Sequence, residues 1–269
     1  MSDLLAWFAL PPGTSSATVA LLLLAALTAG WVDAVVGGGG LVQLPALLIG
    51  LGPGSAPVYA LATNKVASIC GTSTSAVTYY RRVRPDLRTA LPMAAFALAG
   101  ALVGAGIALV LPAAAIRPLV LVALAGVLVY TLRNPGLGAE TVLRHAGRRH
   151  HVTAGGIGFV IGVYDGAVGP GTGSFLVFAL VSMLGYAFVQ ASAKAKIANV
   201  ATNLGALIVF VPQGVVLWRL GLLMGLANLA GGYVGARTAV KRGAGFVRTI
   251  FVAVSVVLLV RLTYDVVRG

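Results

Sequence analysis

Two stretches decide the reading of this chain: Asp33-Ala34-Val35-Val36-Gly37-Gly38-Gly39-Gly40 and Asp165-Gly166-Ala167-Val168-Gly169-Pro170-Gly171-Thr172-Gly173. Each sets one carboxylate at the edge of a glycine-rich interruption inside a long apolar segment. Helix is not comfortable through four consecutive glycines or through Gly-Pro-Gly, because glycine loses the most freedom on ordering and proline removes a backbone donor. A helix restarting near Leu41 or Phe175 aims unsatisfied N–H groups and a partial positive charge into the interruption, with Thr172 or Ser174 placed to cap the second. Interrupted helices at corresponding positions of two halves are the best sequence pointer to a transporter's binding site. Close helix packing is the competing explanation for glycine, and the small-xxx-small pairs Gly100, Gly104 and Gly231, Gly235 fit it well.

The surroundings are those of a membrane protein. Of 269 residues, 59% are hydrophobic and only 9% charged, where soluble domains carry about a quarter charged. Apolar runs such as 17–27, 93–111, 118–132 and 246–260 recur between short polar joints, near the ~20 residues that cross a bilayer. They are continuously apolar and do not alternate, which predicts helices and excludes a porin-type barrel. Met1-Ser2-Asp3-Leu4 lacks the basic start of a cleaved signal peptide, so the segment is expected to be retained.

The net charge of +13 sits mostly in the joints: Arg81, Arg82, Arg84 and Arg88; Arg133, Arg144, Arg148 and Arg149; Arg237, Lys241, Arg242 and Arg248. This is the positive-inside pattern of a multi-pass membrane protein, and it accounts for the charge without nucleic acid as a partner. Cys70 is the one cysteine, which excludes an intrachain disulfide and a cysteine-rich metal site.

Charged residues are scarce enough to test for duplication. Asp33 and Asp165 lie 132 residues apart, while Lys65 and Lys196, Arg88 and Arg219, and Arg117 and Arg248 each lie 131 apart. Gly30-Trp31-Val32-Asp33 also matches Gly162-Val163-Tyr164-Asp165. The expected organisation is an all-α polytopic membrane protein of two homologous halves, 1–133 and 151–269, joined by a basic loop at 134–150. Each half holds about four hydrophobic segments: a Gly-broken or re-entrant stretch (17–51 and 151–185), then spans near 56–80, 88–111 and 115–133, or 187–212, 217–238 and 246–264. The first stretch would be about 50 Å long as one helix, too long for a ~30 Å hydrocarbon core. If it crosses once, the halves run parallel; if it turns back, they are inverted and the basic joints all lie inside. The positive-inside rule prefers inversion, although Arg261 and Arg268 then fall outside.

Five charges fall within apolar surroundings: Asp33, Asp165, Lys65, Lys194 and Lys196. Exposed to lipid they would cost on the order of 12 to 18 kcal/mol, so they face protein, water or substrate. Lys65, Ser68 and Thr72 share one helical face, and Lys196, Asn199 and Asn203 repeat that spacing in the second half. Ammonium, hydroxyl and amide groups are what a dehydrated oxyanion needs in place of water. The competing reading has the small polar groups joining helices and each lysine pairing with an aspartate. The candidate substrate-binding set is these six with Asn64 and, from the breaks, Gly39, Gly40, Gly171 and Thr172; Thr63 and Gln43 are weaker candidates. Asp33, Asp165 and Lys194 are candidates for coupling or gating, the aspartates either carrying protons or neutralising lysines.

No catalytic residue, cofactor or metal is expected. The glycine runs lack the Lys-Ser/Thr of a phosphate loop, and His145, His150 and His151 lie in an arginine-rich joint with no acid or thiol cluster beside them. Paired aspartates suggest an intramembrane aspartyl protease, but neither is preceded by Gly-x-Gly and both open glycine breaks, which a catalytic dyad does not require.

From about residue 17 to 264 the chain resembles the sulfite exporter TauE/SafE family. The likeness is carried by Val32-Asp33, Gly37 to Leu41, Pro45, Ala62-Thr63-Asn64-Lys65, Tyr164-Asp165-Gly166, Gly169-Pro170-Gly171, Ala193-Lys194-Ala195-Lys196 and Asn199 to Gly205. The resemblance implies a duplicated multi-span transporter of small sulfur-containing anions such as sulfite, sulfoacetate or other sulfonates. The second-half wording is most similar to a bacterial subgroup of unassigned substrate. A cation or a neutral metabolite is the alternative cargo.

Overall fold

The structure, a computed structural model, describes residues 15–52, 55–110, 133 and 138–268. Among the described residues all regular structure is helical, in eight helices. The first fourteen residues, the span expected near 115–133 and the Arg117 side of its pairing with Arg248 lie outside the described residues, Arg133 excepted.

The first broken stretch is a helix and a shorter helix folded back on it. Helix α1 (Ser16–Val36) opens on Ser15, whose hydroxyl accepts the Thr18 N–H at 3.1 Å. It closes on Gly37 at φ 85°, a left-handed conformation that suits glycine, and Gly37 returns its N–H to the Asp33 carbonyl at 2.7 Å. Helix α2 (Gly40–Leu51) then runs back along α1: a side chain at Gly50 would meet Leu22 at 3.1 Å, and Leu22, Ala26 and Leu47 share one apolar cluster.

Helix α3 (Pro57–Val83) begins with proline in the first turn, where no donor is lost, and ends at Arg84 after Arg81 and Arg82. Helix α4 (Leu87–Ala108) is capped by Asp86, which accepts the Arg88 N–H at 3.0 Å and the Thr89 hydroxyl at 2.7 Å.

The second broken stretch has the same form. Helix α5 (Gly147–Ala167) and helix α6 (Thr172–Leu184) are separated by Gly169-Pro170-Gly171. The end of α6 returns to where α5 began, since the Val142 N–H bonds the Gly185 carbonyl at 2.8 Å and the Arg144 N–H bonds the Leu184 carbonyl at 3.1 Å. Helices α7 (Phe188–Phe210) and α8 (Trp218–Arg268) follow, the latter interrupted at Gly243.

Two glycine seams hold the bundle. On α4, Cβ atoms at Gly100 and Gly104 would lie 2.2 and 2.0 Å from the carbonyl oxygens of Phe159 and Val163 on α5. On α8, Cβ atoms at Gly231 and Gly235 would lie 2.0 and 2.6 Å from those of Leu27 and Trp31 on α1. Both seams place backbone against backbone, as small-residue interfaces do in membranes, and the packing reading of these glycines is correct. The basic joints gather at one end of the bundle. His150 meets the Tyr186 hydroxyl at 2.9 Å, the rings of Phe188 and Phe251 are 5.8 Å apart, and Val83 packs in the same cluster as Val247.

The outside is apolar. Leu21, Leu24, Phe96, Val103, Val160 and Leu226 are all more than half exposed, an extent that a water-facing surface does not carry. Among the described residues, α1 and α4 are long and apolar enough to cross a membrane. The chain reads as a helical membrane protein with its polar groups turned inward.

Candidate functional site

The two breaks touch. The Ser174 N–H bonds the Gly37 carbonyl at 3.1 Å and its hydroxyl donates to the Val36 carbonyl at 2.9 Å. A Cβ at Gly37 would fall 2.0 Å from the Gly173 carbonyl carbon, so only glycines allow this approach. The residue before α6 is Gly171, with no side-chain cap; Thr172 and Ser174 use their hydroxyls elsewhere, and the helices restart at Gly40 and Thr172, slightly earlier than Leu41 and Phe175. The starts of α2 and α6 therefore both open on the same place, with Gly40 and Thr172 on its wall.

Helices α3 and α7 pass this point side by side and supply its polar groups. Asn64, Lys65 and Ser68 from α3 face Asn199 and Asn203 from α7 around a cavity of about 20 Å³, the size of a water molecule's space. Thr72 lies one turn further along, donating to the Ser68 carbonyl at 2.7 Å and standing 3.5 Å from the Asn203 amide nitrogen. The Asn64 side-chain oxygen is buried without a hydrogen-bond partner, an acceptor left open in the cavity wall.

Each lysine is paired with the aspartate of the other broken stretch. The Lys65 ammonium sits 2.8 Å from Asp165 Oδ2 and donates to the Asp165 carbonyl, also at 2.8 Å. That carbonyl belongs to the last turn of α5, so the ammonium also meets the negative end of a helix. The Lys196 ammonium sits 2.8 Å from Asp33 Oδ2. The Thr172 hydroxyl lies 2.5 Å from Asp165 Oδ1 and 2.7 Å from the Gly169 carbonyl, tying the carboxylate to its own break. Gly169 is left-handed (φ 89°), and a Cβ there would crowd the Lys65 ammonium at 3.3 Å.

Most of the residues singled out from sequence meet here: Asp33, Asn64, Lys65, Ser68, Asp165, Gly40, Gly171, Thr172, Asn199 and Asn203 all reach the cavity wall. Lys196 lies behind Asp33. Gly39 packs against the Ala29 carbonyl, away from the wall, and Lys194 points to the basic end with its ammonium 4.1 Å from the centre of the Tyr186 ring. Thr63 accepts the Leu217 N–H at 3.2 Å, and Gln43 pairs with the Asn228 amide at 2.6 Å. Two tyrosines outside the sequence-derived set brace the breaks. The Tyr164 hydroxyl donates to the Pro170 carbonyl at 2.5 Å and the Tyr79 hydroxyl to the Ala34 carbonyl at 3.0 Å. Tyr164 adjoins Asp165; Tyr79 lies in a helix rich in Ser and Thr, where nothing in the sequence set it apart.

Two broken helices meeting tip to tip at a polar cavity, inside a helical membrane protein, define the class of a membrane transporter fold. The comparisons with known proteins agree. The chain belongs to the sulfite exporter TauE/SafE family of membrane transporters, whose profile matches residues 22–262. It is 38% identical over 250 residues to the "Probable membrane transporter protein ORF9" of a Sinorhizobium species, covering 92% of this chain and 93% of that one. It is 34% identical over 247 residues to the "Probable membrane transporter protein YfcA" of Escherichia coli K12, covering 91% and 89%. A "Probable membrane transporter protein" of Haemophilus influenzae is 29% identical over 251 residues, covering 92% and 95%. No solved structure matches the chain.

Proposed function

We propose that this chain is a multi-pass permease of the bacterial cytoplasmic membrane that moves a small anion, a sulfite, sulfoacetate or other organosulfonate, through the cavity between the two breaks. The observation that carries the reading is the convergence of α2 and α6 starts with the amides of Asn199 and Asn203 and the Lys65 ammonium on one enclosed point. The helix starts and the ammonium present positive or partially positive ends, while the Asn203 amide N–H is directed to the Asn199 carbonyl at 2.8 Å. The cavity is smaller than such an anion, so binding requires the breaks to part.

We further propose two inverted halves, 1–133 and 151–269. Three observations support this. The α4–α5 and α8–α1 seams use matching glycines; each lysine pairs with the other half's aspartate; and α1–α2 turns back toward the end opposite the basic joints while α5–α6 turns back toward them. That arrangement puts the described basic joints on the cytoplasmic side.

One observation favours the second reading, a neutral cargo: both lysines already have a carboxylate partner, so the empty site is neutral. The same pairing argues against an aspartyl protease, whose carboxylates must share a proton rather than each hold an ammonium. The deciding experiment is a thermal-shift screen of the purified chain against sulfite, sulfoacetate, taurine, sulfate and carboxylates. Stabilisation by a sulfur oxyanion, lost in Lys65→Met and Lys196→Met, supports the anion reading; no response to any anion sinks it.

A further inference from the structure

We infer that the site takes a proton as its second ligand, at Asp33 and not at Asp165, so that a monovalent anion enters together with one proton. The inference rests on the anion reading above. It starts from charge balance. Two ammonium groups and two carboxylates leave the empty site neutral. An anion entering alone would leave one charge uncompensated in an enclosed space, the arrangement that a low-dielectric interior tolerates least.

The two aspartates occupy matching positions but have different surroundings. The Asp165 side chain is 3% exposed and is held by Lys65 on one oxygen and the Thr172 hydroxyl at the other, while Lys65 is itself anchored on the Asp165 carbonyl. Asp33 is 13% exposed and lies on the cavity wall, and among the described residues the one side chain bonded to it is Lys196. The position in the first break that corresponds to Thr172 is Gly40, which has no hydroxyl to offer. Asp33 is the more exposed carboxylate and has the fewer contacts to lose.

A metal ion is a poor candidate for this place, because the Lys196 ammonium already stands 2.8 Å from the carboxylate. A proton enters differently: it leaves a water molecule, bonds to a carboxylate oxygen of Asp33 and cancels that charge, with no other bond made or broken. The Lys196 ammonium then lacks a counter-charge, and the anion in the cavity supplies it. Departure of the anion and loss of the proton restore the pair.

The other groups around Asp33 are few. Lys196 comes from α7, and Tyr79 from α3 places a buried hydroxyl within range of the Asp33 charge. Lys65 from α3 and Asp165 from α5 line the same cavity and are engaged with each other. Helices α2 and α6 carry no ionisable residue; along α8, which meets α1 and its break from Asn228 to Val254, Tyr233 and Arg237 are exposed and bonded to one another at 2.7 Å, and Lys241, Arg242 and Arg248 belong to the basic end.

Infrared difference spectroscopy of the full chain in liposomes, between mildly alkaline and mildly acidic buffer, tests this. With isethionate present as the monovalent anion probe, the expected result is a protonated-carboxyl band that grows reversibly on acidification, is lost in Asp33→Asn, shifts in Asp33→Glu and persists in Asp165→Asn. Without isethionate the band is weaker at the same pH, since linked ligands favour each other's binding. A band that survives Asp33→Asn, or disappears with Asp165→Asn instead, overturns the assignment. A band that belongs to Asp33 yet ignores isethionate, sulfite and sulfoacetate alike overturns the coupling. If the thermal-shift screen is then also blank, the anion reading itself fails.

Discussion

Lys65 is ion-paired with Asp165, 100 positions away, and not with Asp33 in its own broken stretch. The reciprocal pair, Lys196 with Asp33, spans 163 positions. Each pair therefore joins a helix of one part of the chain to the end of a broken helix from the other, and each buried charge depends on a distant segment being in place.

Removing one partner should be costly. Lys65→Met leaves the Asp165 carboxylate buried and unmatched, which is expected to destabilise the protein by about 3–5 kcal/mol. Combining it with Asp165→Asn should recover part of that loss. Thermal unfolding in detergent across the double-mutant cycle measures the coupling, and additive losses would mean that the pair contributes no interaction of its own.

Glycine substitutions should sort by what a Cβ would meet. Gly104→Leu and Gly37→Ala drive side chains into backbone and should cost more than about 3 kcal/mol or abolish folded yield. Gly106→Ala and Gly156→Ala, on helix faces with nothing within 4 Å, should be neutral or stabilising by up to about 1 kcal/mol. Yield and monodispersity by size-exclusion chromatography separate the two groups, and uniform tolerance would contradict the seams described.

Asn64 offers a cleaner probe of binding than the lysines. Its side-chain oxygen accepts no hydrogen bond from the protein, so Asn64→Ala should change the melting temperature little. The amide N–H of Asn64 is the end an oxyanion can accept from, and its loss should weaken binding by about 1 kcal/mol, several-fold in Kd. Titration of the variant with whichever anion stabilises the parent decides it; unaltered affinity removes Asn64 from the site.

Asp86 sets a pH-dependent helix start at the basic end. Burial alone would raise its carboxyl, but hydrogen bonds from the Thr89 hydroxyl and the Arg88 N–H outweigh burial and hold it below the usual carboxylate range. A depressed folded-state value means that the cap's contribution, about 1 kcal/mol, is present above the ordinary carboxylate range and lost as pH falls through the folded value. Asp86→Ala should remove that acid dependence when unfolding midpoints are compared across buffers.

Much of the site was legible because charges and amides stand out against an apolar background. Asp33, Lys65, Asp165, Asn199 and Asn203 all come together, and the shared face of Lys65 and Ser68 follows from helical spacing. Lys194 drew notice for the same reason, yet it lies two residues before Lys196, about 200° around a helix, and one cavity could not take both. The crossed pairing was not readable, because sequence distance favours Lys65 with Asp33 and only the three-dimensional path reverses it. Nor was the meeting of Gly37 with Gly173, since glycine leaves no chemical mark of what it approaches.

That meeting has a consequence for any measured affinity. While the Ser174 hydroxyl and N–H hold the Val36 and Gly37 carbonyls, the two helix tips cannot separate, and the space between them suits one water. A cargo larger than water must first part the tips, so its dissociation constant reflects both the new contacts and the broken ones. A variant that loosens the clasp, Ser174→Ala for instance, would then bind more tightly while folding less stably, and the resting protein is weak-binding by construction rather than by lack of ligand groups.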